Sequence, residues 1–180
     1  MLFAALAAML GWAAPDTPPD PFEPPLPRAM AVETVRDPIT DDLRVQATLR
    51  DQDRRLTLAC DPHDFEFIRV TFTSNRWLVR GNFITRERPL IYRFDDHRPR
   101  RLVWIVKDRE ARLAGRSRVG AFLQRFIDAD EIVFRTRDVE SNRILLRFRI
   151  VGAREAVDQL LRQCGETELR DRIFNGPPLE

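Results

Sequence analysis

The sequence predicts an α+β protein rich in strands, with a mostly antiparallel sheet of about seven to nine strands and two amphipathic helices. Short segments in which apolar and polar residues alternate recur between turn residues, as expected for strands with one buried face. Two further segments carry apolar residues at helical spacing. These patterns leave open whether the sheet is a sandwich or barrel-like.

The first predicted hairpin runs from Leu43 to Cys60. Every second residue is apolar from Leu43 to Leu49, and the same alternation continues from Leu56 to Cys60 after the polar turn at 51–53. This period of two places one side of each strand against a core.

Further strands are predicted after this hairpin, at 68–72, 77–83, 90–95, 102–106, 132–137 and 144–150. The last is the clearest, because Ile144, Leu146 and Phe148 point one way. Arg147 and Arg149 lie on the opposite side.

Two helices are predicted between and after these strands. Residues 119–130 have apolar positions at i, i+3, i+4, i+7 and i+8, and Ser117 is a candidate N-cap. A second apolar stripe runs from Val157 to Cys164, and Gly165 follows it as a candidate C-cap glycine.

The predicted domain organisation has four parts. Residues 1–14 resemble a cleavable signal peptide, because Leu2 to Leu10 is apolar but too short for the roughly 20 residues that span a bilayer. Residues 15–29 are a proline-rich linker, 30–165 are a single β-rich domain, and 166–180 are a polar C-terminal tail. We therefore expect a periplasmic protein without a stable membrane span; a short anchor or a buried N-terminal strand is the alternative for the leader.

The charge balance indicates no polyanionic partner, since 30 basic residues face 28 acidic ones and the net charge is +2. Lys107 is the only lysine. The arginine excess fits recognition of carboxylate or phosphate groups, but coding bias in a GC-rich genome is the simpler explanation.

Both cysteines are predicted to face the same core. Cys60 lies on the inward side of a strand and Cys164 on the inward side of the last helix. In an oxidising compartment such a pair forms a disulfide, and in the cytosol the two would be buried free thiols. Export, predicted from the leader, favours the disulfide.

No recognisable active site is present. The histidines occur in DPHD at 61–64 and DDHRPRR at 95–101, both of which are turn sequences. Asp95, Asp96 and His97 would be the acid–base or metal groups if the chain were a hydrolase. We expect no catalytic residue, no metal site and no cofactor.

A candidate binding surface consists of arginines around the hairpin near residue 97. It comprises Arg93, Arg98, Arg100, Arg101 and Trp104. Stacking aromatics beside arginines are also found in oligonucleotide-binding barrels. Acidic residues such as Asp95 and Asp96 interrupt the basic cluster, however, so we expect a protein partner and no nucleic acid.

The region from about Met30 to Gly165 resembles the VasI-like type VI secretion-associated proteins of Gram-negative bacteria. The shared features are LTLAC at 56–60, YRFDDHRPRRLVW at 92–104, FIDAD at 126–130 and Cys-Gly at 164–165, in that order. The segment RLAGRSRVG at 112–120 departs from the family pattern before the first helix.

The resemblance implies an exported, β-rich accessory protein without catalytic residues, in which Cys60 and Cys164 pair. We therefore expect a non-enzymatic binding protein of the cell envelope, associated with a type VI secretion system. Two alternatives are an inhibitor that inserts the loop 95–99 into a cell-wall lytic enzyme, and the hydrolase described above. No pattern in the sequence indicates an oligomeric state.

Overall fold

The structure, a computed structural model, describes residues 29–36, 38–39, 41–51, 54–61, 67–79 and 86–177. These residues form one antiparallel sheet of nine strands and three helices. The strands and helices are β1 Ala31–Arg36, β2 Leu43–Asp51, β3 Arg54–Cys60, β4 Ile68–Thr73, β5 Arg86–Phe94, β6 Arg100–Lys107, β7 Glu110–Ala114, α1 Arg116–Phe126, β8 Glu131–Arg137, β9 Arg143–Arg149, α2 Ala153–Gln163 and α3 Thr167–Asn175.

The sheet has the strand order β1-β2-β3-β4-β7-β6-β5-β8-β9, and all neighbouring strands are antiparallel. This confirms the predicted β-rich α+β class. The sheet is not closed into a barrel, but its two ends curl towards each other, since β2 contacts β9. Just beyond the edge strands, the Met30 N–H donates to the carbonyl oxygen of Val151 at 2.8 Å.

The core fills the concave side of the curled sheet, where the helices pack. Phe122 and Phe126 of α1 are fully buried, because the apolar stripe of this helix faces the inward residues of the sheet. Trp104 lies against Phe122 and Phe134 with ring centroids 6.1 and 5.6 Å apart. Burial of large aromatic rings on this scale is the main stabilising contribution that the core makes.

Two strands were not predicted from the sequence. In β1 every residue except Val32 is exposed, so the strand shows no alternation of apolar and polar residues. β7 has only 5 residues and is followed directly by α1, so its pattern is too short to identify.

The strand predicted at 77–83 is not formed in its described part. Residues 77–79 form a bend, in which the N–H groups of Leu78 and Val79 donate to the carbonyl oxygen of Asp108 at 2.7 and 3.2 Å. The remainder of that prediction lies outside the described residues.

The helices differ from their predictions in two places, at the end of α1 and in the C-terminal segment. α1 ends at Phe126 rather than near residue 130, because the chain turns at Ile127 and Asp128 before β8. The segment expected to be a polar tail contains α3, of which Leu169 and Ile173 are buried. These two apolar residues are four positions apart and are enough to pack one side of a helix on the core. They are too few to give a recognisable helical period in the sequence.

The predicted signal peptide, and the linker up to residue 28, lie outside the described residues. Within the part of the chain that the structure describes, no helix has the length and apolar character needed to cross a bilayer.

Candidate binding surfaces

The two cysteines lie at disulfide distance, as predicted. Cys60 is the last residue of β3 and is fully buried, and Cys164 directly follows α2. Their Cα atoms are 6.4 Å apart, within the range that disulfides span. The pair fastens the C-terminal end of α2 to the end of β3, and therefore the helical layer to the sheet.

Three of the five residues of the predicted binding surface, Arg93, Arg98 and Arg100, line one groove, but the other two do not join them there. Trp104 is 0% exposed and forms part of the core, so it is not accessible to a partner. Its neighbours Leu102 and Val106 share its inward direction, and Arg101 therefore points to the opposite side of the sheet. Arg98 is exposed in the turn between β5 and β6. Arg100 is also exposed; it pairs with Tyr92 of β5 and therefore lies on the same, inward side of the sheet.

The outward side of β6, β5, β8 and β9 carries a dense set of arginines, which we call the arginine face. Its arginines are Arg93, Arg101, Arg135, Arg137, Arg143, Arg147 and Arg149. The register explains how residues distant in sequence meet: Ile91 opposes both Arg101 and Arg135, and Val133 opposes both Arg93 and Arg147. Arg101 and Arg135 therefore flank Ile91 and lie two strand spacings, about 10 Å, apart, and the charges form one surface.

The arginine face also has an apolar component. Leu145 is 53% exposed and Val103 is 43% exposed, and both lie among the arginines on the outward side. A groove of about 440 Å³ at one end of the face is lined by Arg88, Pro89, Ile91, Arg101, Arg135, Thr136, Arg137 and Arg143. Arginine is enriched at protein-binding surfaces, and the exposed aliphatic side chains add apolar area that a partner can bury.

Few carboxylates neutralise the arginine face. Glu131 forms an ion pair with Arg147 at 3.3 Å, but Arg101, Arg135 and Arg143 form none among the described residues. The binding surface predicted from the sequence includes Arg93 and Arg101 but not Arg135 or the arginines of β9. The alternation of arginine with apolar residues in 144–150 indicates that the arginines of β9 point outward. Only the register of the sheet shows that they lie beside the outward arginines of the neighbouring strands.

Hydrogen bonds to the backbone hold the turn between β5 and β6 in place. The Asp95 carboxylate accepts hydrogen bonds from the backbone N–H groups of Asp130 at 3.1 Å and Glu131 at 2.8 Å. The His97 N–H donates to the carbonyl oxygen of Phe94 at 3.0 Å, which closes the turn. Asp96 and His97 are exposed, and no cluster of three potential metal ligands occurs in the described ranges. Asp95 therefore anchors the start of β8.

Two side chains behind this turn have shifted pKa values. Burial raises the pKa of Tyr92, and the positive charges of Arg125 and Arg100 offset part of that rise. Burial and the charge of Arg100 lower the pKa of Arg125, while Tyr92 acts in the opposite direction. Arg100 and Arg125 are thus close enough for their like charges to repel each other.

Asp138 fixes the turn between β8 and β9, the two arginine-rich strands at the sheet edge. Its carboxylate accepts hydrogen bonds from the N–H groups of Glu140 and Asn142 at 3.0 and 2.8 Å, and Arg76 lies 3.3 Å away. Burial raises the pKa of Asp138, but the hydrogen bonds from Asn142, Glu140 and Arg76 outweigh it and leave that pKa below its usual value.

Comparison of the chain with protein-family models, curated proteins and solved structures found no match.

Proposed function

We propose that this chain is a non-enzymatic binding protein of the bacterial cell envelope, and that its arginine face docks an acidic surface of another envelope protein. The observation that carries the proposal is that one side of the sheet is covered by helices while the other presents arginines and exposed aliphatic residues. The periplasmic location and the link to type VI secretion rest on the leader-like N-terminus and on the motifs shared with VasI-like proteins.

The chemistry of the face favours an acidic protein surface. Guanidinium groups bind carboxylates through two parallel hydrogen bonds, and Arg101, Arg135 and Arg143 have no carboxylate partner among the described residues. The exposed side chains of Leu145 and Val103 provide apolar area that a partner would bury. The charges increase the association rate, and burial of these two exposed side chains would slow dissociation.

The alternatives receive less support. For a hydrolase, Oδ1 of the Asp95 carboxylate accepts hydrogen bonds from two backbone N–H groups at the start of β8, which gives this side chain a structural role. For an inhibitor, the exposed turn 96–99 mixes acidic and basic side chains and carries no large apolar residue to fill a cleft.

The proposal is tested with a charge-reversal variant and a matched control. The full chain is cross-linked in its native envelope, the captured protein is identified and purified, and its Kd is measured by calorimetry. Arg135→Glu/Arg143→Glu should weaken binding about a hundredfold, because each reversal places like charges across the interface. Arg100→Glu/Arg118→Glu carries the same charge change on the helix side and should leave the Kd within about threefold.

Two outcomes would contradict the proposal. One is a captured protein that does not bind the purified chain. The other is an equal loss of affinity in both variants, which would show that only the total charge matters.

A further inference from the structure

A second groove lies on the helix side of the sheet, between the exposed side of α1 and the beginning of β6. Its volume is about 330 Å³, and it is lined by Tyr92, Arg100, Arg101, Leu102, Ser117, Arg118, Ala121 and Arg125. Arg118, Ala121 and Arg125 follow one side of α1 at spacings of three and four residues. Arg100 faces them from the first residue of β6.

All the charged residues that line this groove are arginines. Arg100 and Arg101 belong to β6, Arg118 and Arg125 belong to α1, and none of the lining residues is a carboxylate. Arg125 donates one hydrogen bond from Nη1 to the carbonyl oxygen of Ala121 at 3.0 Å. Arg100 and Arg118 form no ion pair within the described ranges. Guanidinium groups that line one groove from two elements can bind the same anion.

The start of α1 adds hydrogen-bond donors at the same end of the groove. The N-cap residue is Gly115, no side chain caps the helix, and its first turn contains no acidic residue. The nearby carboxylate of Glu166 accepts a hydrogen bond from Arg116 Nε at 3.0 Å. The hydroxyl of Ser117 lies in the groove beside Arg118. Uncapped first turns and guanidinium groups both favour oxyanions.

We propose that this groove binds a phosphate group carried by a small ligand, with Arg100 and Arg118 as its main contacts. A phosphate has several acceptor oxygens and up to two negative charges, which matches convergent guanidinium groups better than a single carboxylate does. The volume is near the lower limit of ligand pockets and accommodates a phosphate with a group about the size of glycerol. A soluble phosphate ester and an anionic phospholipid headgroup share this chemistry.

The experiment uses the full chain and two probes. Glycerol 3-phosphate is titrated by calorimetry, and phosphatidylcholine vesicles with and without phosphatidic acid are tested by flotation. We expect saturable binding to at least one probe. Binding in the soluble arm alone identifies a free phosphate ester, and binding to phosphatidic acid vesicles alone identifies a lipid headgroup.

A set of variants tests whether the phosphate probe binds in this groove. Arg100→Ala/Arg118→Ala should weaken that binding at least about tenfold, and Arg135→Ala/Arg143→Ala on the arginine face should leave it within about twofold. Arg118→Lys keeps the charge but not the planar fork and should give an intermediate loss. Thermal melts of each variant verify the fold, and the single variant Arg118→Ala replaces the double variant if that does not fold.

The proposal is overturned if neither probe binds saturably up to about 10 mM, a concentration well above the Kd of even weak specific sites. It is also overturned if the arginine-face control loses binding equally. Because protein docking is measured with a different variant pair, failure of this site leaves the proposed function standing, and the reverse also holds.

Discussion

The two sides of the four strands β6, β5, β8 and β9 differ completely in burial. Inward residues such as Phe134 and Phe148 are at most 1% exposed; Phe134 packs with Phe122 of α1, and Phe148 packs with Phe134. Outward residues one position away, such as Arg135 and Arg147, are exposed. Since side chains alternate along a strand, one set of residues forms the core and the residues between them form the surface proposed to bind a partner.

Stability and the proposed binding should therefore be separable by substitution. Changes on the inward side should alter the free energy of unfolding and leave the chemistry of the outer surface intact. Changes on the outward side should alter binding with little effect on stability. The predictions below test this separation in order of decreasing effect on stability.

The largest effect is expected from the cysteine pair, which fastens the helical layer to the inward side. Cys60 and Cys164 are 104 residues apart in sequence, so a disulfide between them restricts the unfolded chain strongly. Reduction should lower the free energy of unfolding by about 4–5 kcal/mol on the chain-entropy account. Urea denaturation with and without reductant measures this change.

Cys60→Ala/Cys164→Ala is the control for this measurement, because its urea midpoint should not respond to reductant. Identical midpoints for the oxidised and reduced wild-type protein would contradict the prediction. If the arginine face docks an acidic protein as proposed, the folded, reduced protein should still bind it, since the pair lies on the other side of the sheet.

A matched pair of truncations on adjacent strands compares the two sides directly. Phe134→Ala removes a fully buried ring from β8 and should cost about 3–5 kcal/mol. Leu145→Ala removes an exposed side chain from the outward side of β9 and should cost less than about 1 kcal/mol. Chemical denaturation measures both values, and similar costs would show that the outward side is also packed.

The turn that joins β8 to β9 should make a smaller, pH-dependent contribution. Hydrogen bonds hold the pKa of Asp138 below its usual value in the folded protein, so its stabilisation is present above the unfolded pKa of about 4. As the pH falls through the lower folded pKa, that stabilisation is lost. Asp138→Asn should therefore lower the Tm at pH 7, and the difference from wild type should shrink towards pH 2.

Thermal melts across this pH range provide the test. Glu140→Gln is a control in the same turn, because its backbone N–H still donates to Asp138 after the substitution. A Tm difference between Asp138→Asn and wild type that stays constant down to pH 2 would contradict the assigned cause.

Much of the fold could be predicted because its strands alternate strongly. β9 is the best example, with Ile144, Leu146 and Phe148 inward and arginines outward. β1 could not be predicted, because an exposed edge strand needs no apolar side, and α3 needed only Leu169 and Ile173 to attach to the core. Short elements carry too little periodicity for recognition.

The candidate binding surface is harder to predict than the fold, because it is assembled across strands. Trp104 was assigned to a surface from its position beside Arg100 and Arg101, although the alternation of β6 directs it inward. Arg135 and Arg143 are far from Arg101 in sequence and join it only through the pairing of β5 with β6 and β8. Strand order and register depend on contacts that a single sequence does not reveal.

The smallest effect on stability is expected from the arginine face itself. Arg135 and Arg143 are exposed and form no ion pair among the described residues, so Arg135→Ala/Arg143→Ala should change the free energy of unfolding by no more than about 0.5 kcal/mol. Crowded arginines repel one another, and the sign of the change should therefore be towards greater stability at low salt. Urea denaturation at low and high salt measures it, and a salt-independent loss of stability would show that these side chains support the sheet instead of serving a partner.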